Sequence, residues 1–259
     1  MMLREGALAT TGIDAVAIKP AETDLSRAAA LDHDVIVDYE GVEHLPDADA
    51  LADLASDRSV RVTVPVRADG FDLFGDDGRW DWVPEGVGRI LVAGHPAYLT
   101  ETEQSRAVAP RFGAARERDP EAWVGTENIE RMALAAGGTQ FELLGRSTER
   151  DFHGLRAAGF SGSLAVYAPT VVTDDEDAIL DAVGAYAARR KPVREALPDG
   201  APTDATAEGR AREVLARAVE DYALVGDAAT VARRVEALRE AGADTVVGYP
   251  ARGIDALTR

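Results

Sequence analysis

The 259-residue chain has no cysteine. That excludes disulfides, thiolate nucleophiles and cysteine-ligated zinc or iron–sulfur centres. Lysine is nearly missing: Lys19 and Lys191 are the only two, and every other basic side chain is arginine. Positive charge is in deficit, with 28 Lys+Arg against 46 Asp+Glu and a net charge of -18. Such a surface repels phosphate, which argues against nonspecific nucleic-acid binding. The arginine clusters at Arg189-Arg190-Lys191 and Arg233-Arg234 are short and read as helix faces or ends. No apolar run approaches the length needed to span a membrane. The N-terminal MMLREGALATTG lacks the apolar core of a signal peptide, so a cytoplasmic location is the expectation. Acidic surface with scarce lysine suits a salt-rich cytoplasm, because carboxylates hold hydrated cations where salt screens repulsion. A GC-rich genome gives the same preference for arginine.

Common ligand signatures are missing as well. There is no Gly-x-Gly-x-x-Gly, no Walker loop, and no His-x-His or His-Glu-x-x-His. Neither a dinucleotide fold of the usual kind nor a metal site is expected.

What is present is a repeated unit. In Ala223 to Gly253, Asp227 suits an N-cap. Val231, Val235 and Leu238 then make an apolar stripe at i, i+4, i+7. Gly242 suits a left-handed helix end. Thr245-Val246-Val247 follows as a strand before Gly248-Tyr249-Pro250. The same order recurs from Leu155-Arg156-Ala157-Ala158-Gly159 to Leu164-Ala165-Val166-Tyr167-Ala168-Pro169. It recurs more loosely from Ala135 to Gly145. Helix, glycine and buried strand in repetition predict a parallel sheet.

Eight strand segments can be placed: Ala15 to Ile18, Val35 to Val37, Val60 to Val66, Arg89 to Ala93, Trp123 to Gly125, Phe141 to Leu144, Leu164 to Tyr167, and Thr245 to Val247. Helices are expected between them, one from Thr100 to Arg118 broken at Pro110. Asp69 to Val83 reads as an irregular loop or lid. The expected fold is a closed (β/α)₈ TIM barrel spanning 1–259 as a single domain, with a mobile helical insert around 190–222. A doubly wound open parallel sheet is the alternative, because the fifth strand is thin.

In a barrel the working residues sit at the C-terminal strand ends. Lys19 is there, able to bind phosphate or form a Schiff base, and equally suited to a solvated strand end. His95 can exchange protons near neutrality, or serve as a structural hydrogen-bonder before Pro96. Asp38 and Glu40 share one face of an extended segment. At Gly145-Arg146-Ser147-Thr148 a strand ends and a helix begins. Free N–H groups and the helix dipole favour an anion there, and Arg146 adds a guanidinium fork. A plain serine cap fits the same four residues.

The segment from Ser163 to Gly253 resembles the C-terminal third of the bacterial luciferase-like superfamily of flavin monooxygenases and deazaflavin-dependent reductases. The likeness rests on Leu164 to Pro169, the acidic Asp174-Asp175-Glu176-Asp177-Ala178, and the Gly226-Asp227-Ala228-Ala229-Thr230-Val231-Ala232-Arg233 helix start. The resemblance implies a barrel oxidoreductase carrying FMN or a deazaflavin (coenzyme F420), with Gly145 to Thr148 receiving its phosphate and His95 handling protons. The chain is shorter than typical members, and its N-terminal half has no match to theirs. The rival expectations are a barrel lyase or hydrolase acting on a phosphorylated or carbonyl substrate through Lys19, Asp38 or Glu40, and a degenerate, non-catalytic barrel. A small-molecule substrate is expected in the first two. The Ala182-Val183-Tyr186 face fits a homodimer interface and fits the core equally.

Overall fold

The computed structural model of the chain describes residues 7–256. The first six residues of the N-terminal stretch discussed above lie outside them. The strands in chain order are β1 (Ala15–Ile18), β2 (Asp34–Val37), β3 (Val60–Pro65), β4 (Val87–Val92) and β5 (Trp123–Gly125), then β6 (Gln140–Leu143), β7 (Leu164–Val172), β8 (Leu224–Gly226) and β9 (Thr245–Pro250). The helices are α1 (Leu25–Ala28), α2 (Ala48–Ala55), α3 (Glu101–Ser105), α4 (Val108–Arg118) and α5 (Glu130–Ala136), then α6 (Thr148–Ala157), α7 (Glu176–Ala188), α8 (Lys191–Ala196), α9 (Gly209–Tyr222) and α10 (Ala228–Ala241).

The strand order is β6-β5-β4-β3-β2-β1-β9-β7-β8, and β6 also pairs with β7. That extra pairing makes an eight-strand ring of β1 to β7 and β9, the (β/α)₈ barrel, and leaves β8 attached to β7 outside it. The open-sheet alternative is therefore wrong. The thin fifth strand does not break the ladder: Val124 pairs with Leu91 of β4 on one side and with Gln140 of β6 on the other.

Two compact units are distinguished along the chain. One comprises Ala15–Glu142 with Ser161–Ala165. Its strands are parallel, with Val16 opposite Val35, Ile36 opposite Arg61, and Val62 opposite Arg89. They are apolar on both faces because a barrel strand is covered by helix outside and filled by neighbours inside. Val16, Ile36, Val62, Val64, Ile90 and Leu91 are all buried. The helices start where short acidic or hydroxyl side chains take orphan amides. Asp24 accepts from Ser26, Asp47 accepts from Asp49, and Thr100 forms a reciprocal capping box with Glu103.

The other unit comprises Met1–Asp14, Leu143–Phe160 and Val166–Arg259. Its core joins α7 to α9 through Ile179, Leu180, Val183, Leu215 and Val219. Ala182 and Tyr186 are partly buried and pack against the same cluster. Asp227 caps α10 by accepting the Thr230 N–H, and Val231, Val235 and Leu238 are buried. Gly242 ends the helix at φ 117°, and its carbonyl accepts from the Arg156 guanidinium.

Four sequence expectations need correction. The break in the long helix falls at Arg106–Ala107 rather than at Pro110. Pro110 instead occupies the first turn of α4, where its missing N–H has no intrahelical partner to lose. Pro169 does not stop β7, which runs on to Val172 because Thr170, Val171 and Val172 find a new partner in β8. That extra strand and the short α8 were not anticipated. β9 continues through Gly248 to Pro250.

The Asp69 to Val83 stretch is irregular, with one 3-10 turn at Trp80–Trp82, but it is tied down. Asp72 is 1% exposed and holds Arg111 through two bonds of 2.7 and 2.8 Å. Arg106 bonds Asp69 at 2.7 Å and stands 3.2 Å from Asp72.

Candidate functional site

In the unit containing β1 to β5, three sequence candidates sit after strand ends. Lys19 follows β1 and faces Glu22 at 3.5 Å. Glu40, beyond β2, is buried and accepts the Ala21 N–H at 3.0 Å, which ties the two strand exits together. The cavity beside them is about 10 Å³, lined by Asp38, Tyr39, Glu40, His44, Thr63 and Trp82 among others. That is room for about one water. Thr63 accepts the Tyr39 N–H at 2.6 Å.

His95 follows β4 and is exposed. Its Nδ1 accepts the Ala97 N–H at 3.1 Å. A neutral ring with Nδ1 accepting carries its proton on Nε2. The His95 and Tyr98 rings lie 5.9 Å apart, and Tyr98 meets Tyr39 edge-on at 6.4 Å. Tyr39 meets Phe71, which meets Trp82. This aromatic chain over the exits of β2, β3 and β4 was not read from the sequence, since its members come from three separate loops. Burial raises the Tyr39 hydroxyl pKa above its ordinary value, and the nearby carboxylates of Glu103 and Glu43 add to that. The rim is fixed partly by Arg67, whose guanidinium donates to the carbonyls of Ala93, Gly94 and Gln104.

The remaining candidates lie in the other unit, at the start of α6. Thr148 is buried, and its hydroxyl accepts the Gly145 N–H at 2.9 Å, so it shapes the turn. Ser147 is the N-cap residue, yet its side chain makes no capping bond. Arg146 is exposed and has no hydrogen-bond or ion-pair partner among the described residues. The acidic first turn would oppose an anion, but Glu149 is matched by Arg234 at 2.8 Å. A side-chain oxygen not engaged by the helix, an unpaired guanidinium and a ten-residue helix dipole together fit a phosphate monoester or diester. Gly145 leaves a gap there: a Cβ on it would stand 3.7 Å from the Tyr222 ring and 3.9 Å from the Thr148 hydroxyl.

Arg146 and Tyr222 also line a cleft of about 250 Å³ formed with α8 and α9. Elsewhere in this unit Tyr167 of β7 and Tyr249 of β9 lie nearly parallel, ring centres 6.3 Å apart.

Strand order and ring closure define the class: a (β/α)₈ barrel. The fold is similar to that of an F420-dependent secondary alcohol dehydrogenase solved with an F420–acetone adduct, at a TM-score of 0.60 and 12% identity. That match covers 92% of this chain and 93% of the other, so the likeness is not confined to the C-terminal third. The chain belongs to a family of unknown function, DUF7388, which it matches over residues 8–257. No curated protein matches it in sequence. No helix among the described residues is long and apolar enough to cross a membrane.

Proposed function

We propose that this protein is a luciferase-like oxidoreductase that binds a reduced flavin or deazaflavin, FMN or coenzyme F420, and acts on a small molecule in the cytoplasm. The reading treats 1–259 as one barrel domain with a helical insert around 190–222. The observation that carries it is the start of α6, where Arg146 is unpaired and the Ser147 side chain does not cap its helix. The shared fold with an F420-dependent dehydrogenase supports the same reading.

Bound there, the cofactor supplies hydride chemistry, while the protein supplies position and electrostatics. Arg146 would clamp two phosphate oxygens, and the Ser147 hydroxyl would donate to a third. The Gly145 N–H is held by the buried Thr148 hydroxyl, which keeps the turn in shape. His95 is assigned proton handling at Nε2, because Nδ1 is already engaged by the Ala97 N–H. Lys19 and Glu40 hold local structure in this reading, through Glu22 and the Ala21 N–H respectively. The test is fluorescence and absorbance titration of the purified protein with FMN and with coenzyme F420. Saturable binding of either at micromolar concentration is expected, and binding of neither overturns the proposal.

One observation favours a second reading, a non-catalytic barrel. The exits of β1 to β3 leave only about 10 Å³ between Tyr39, Leu45, Pro46 and Trp82. Absence of cofactor binding in the titration, with an intact fold by circular dichroism, would favour it.

A further inference from the structure

We propose that the short stretch between β2 and α2, residues 41–46, is a flap that stands closed over polar groups at the exits of β2 and β3. A ligand reaches Glu40 and Thr63 only when it lifts. The inference uses no cofactor, so it and the reading above stand or fall separately.

The groups beneath it are out of place for a barrel mouth. Strand exits in this fold ordinarily face solvent or ligand, yet Glu40 and Thr63 are each 9% exposed. Three residues of the stretch, His44, Leu45 and Pro46, wall the cavity of about 10 Å³ that also meets Asp38, Glu40 and Thr63. The small volume is then a property of the closed state rather than a limit of the site.

The cover itself is lightly held. Val42, Glu43 and His44 are exposed, and Leu45 and Pro46 are half-buried. Its backbone bonds turn inward: the His44 N–H donates to the Gly41 carbonyl, and the Leu45 N–H to the Val42 carbonyl. Among the described residues, one hydrogen bond joins it to another segment, from the Trp82 indole N–H to the Pro46 carbonyl at 3.2 Å. Trp82 stands on the loop that Asp72 ties down, so the tether runs from a fixed base to a loose piece.

Both ends suit a hinge. Gly41 has φ 115° and ψ 157°, a region open only to glycine, and a Cβ there would strike the Glu43 carboxylate at 2.7 Å. At the other end Asp47 caps α2, which Leu51 anchors in the core. Few residues need turn for such a piece to swing.

Two amides report on what lies beneath. The Ala21 N–H is held by the Glu40 carboxylate, and the Tyr39 N–H by the Thr63 hydroxyl. Residue-resolved hydrogen exchange of wild type and Trp82→Phe, which keeps a ring but loses the tether, tests the flap. The Ala21, Tyr39 and Leu45 amides should all exchange roughly threefold to tenfold faster in the variant, as for one hydrogen bond lost. Those of Gly70 and Asp72 in the neighbouring loop should keep their rates. Gly41→Ala leaves the tether intact but strains the hinge, and should speed the same three amides. Faster exchange at Leu45 alone in both variants overturns the proposal, because the stretch then frays without uncovering anything. Equal acceleration at Gly70 and Asp72 overturns it too, because the whole mouth then loosens together.

Discussion

Asp72→Ala should unfold more of the molecule's stability than any other single change to a polar residue in the loop after β3. Asp72 is 1% exposed and accepts from Arg111 Nε at 2.7 Å, Arg111 Nη2 at 2.8 Å and the Phe74 N–H at 3.0 Å. Arg106 adds a contact at 3.2 Å. Removing one partner of a buried charge pair costs about 3–5 kcal/mol, because the other charge stays buried. Here the arginines keep other acceptors. Arg111 still donates to the Ala107 carbonyl, and Arg106 to the Arg67 carbonyl and to Asp69. The lower end is therefore expected, about 3 kcal/mol. For a chain of this length that lowers Tm by roughly 6–12 °C. Asp72→Asn keeps an acceptor for the Phe74 N–H and should lose about half as much. Differential scanning fluorimetry measures both, and limited proteolysis within 69–83 should speed up in Asp72→Ala. A Tm drop under about 2 °C for Asp72→Ala, less than 1 kcal/mol, would refute the claim that this ion cluster holds the loop.

Acid should reveal the same cluster. Burial pushes the Asp72 carboxyl up, but bonds from Arg111 and the Phe74 N–H and the charges of Arg111 and Arg106 outweigh it, and the net pKa is lowered. Glu103 behaves alike, with burial outweighed by the Asp69 and Thr100 N–H bonds, the Thr100 hydroxyl and Arg106. Their stabilisation is fully present above the ordinary values of 3.8 and 4.5, and is lost as pH falls through the lower folded values. Urea midpoints between pH 7 and pH 3 should fall less steeply in Asp72→Asn/Glu103→Gln than in wild type, and identical slopes would contradict this. Gly184→Ala should destabilise by about 1–3 kcal/mol, since a Cβ there would strike the Thr203 backbone carbonyl in an already packed interface. Gly242→Ala should cost about 1–2 kcal/mol, because φ is 117° and the new methyl would stand 2.8 Å from Arg156 Cγ. Leu215→Ala, at 0% exposure in the α7–α9 core, should cost about 2–5 kcal/mol by chemical denaturation. Wild-type midpoints for any of the three would show that its local packing is misread.

The barrel was legible because its signals are local. Each ring strand is a short β-prone run, and Asp47, Thr100 and Asp227 stand at helix starts where their oxygens take orphan amides. The exact chain order of closure was not, because ring closure depends on pairing between β6 and β7 and between β1 and β9, which no short window contains. β8 escaped notice for the same reason: Leu224–Gly226 is a strand only because β7 outruns its proline to meet it. At the site, Gly145 to Thr148 could be found as a strand-to-helix junction. That Thr148 turns inward while Ser147 leaves its helix uncapped is a matter of rotamer and backbone, invisible in residue types. The cleft formed with α8 and α9 was missed because Arg146 is more than sixty positions from Arg210 and Arg217, which also line it, and only tertiary packing brings them to one cavity.

The central claim is that the start of α6 receives the phosphate of a reduced flavin or deazaflavin. Equilibrium titration of wild type and Arg146→Ala with coenzyme F420 and FMN, repeated with inorganic phosphate as competitor, tests it most directly. The account predicts saturable micromolar binding to wild type, weakened by competing phosphate, and a loss of roughly tenfold to a hundredfold in Arg146→Ala, as for a charged hydrogen bond. No saturable binding to wild type, or equal affinity in the variant, would contradict it.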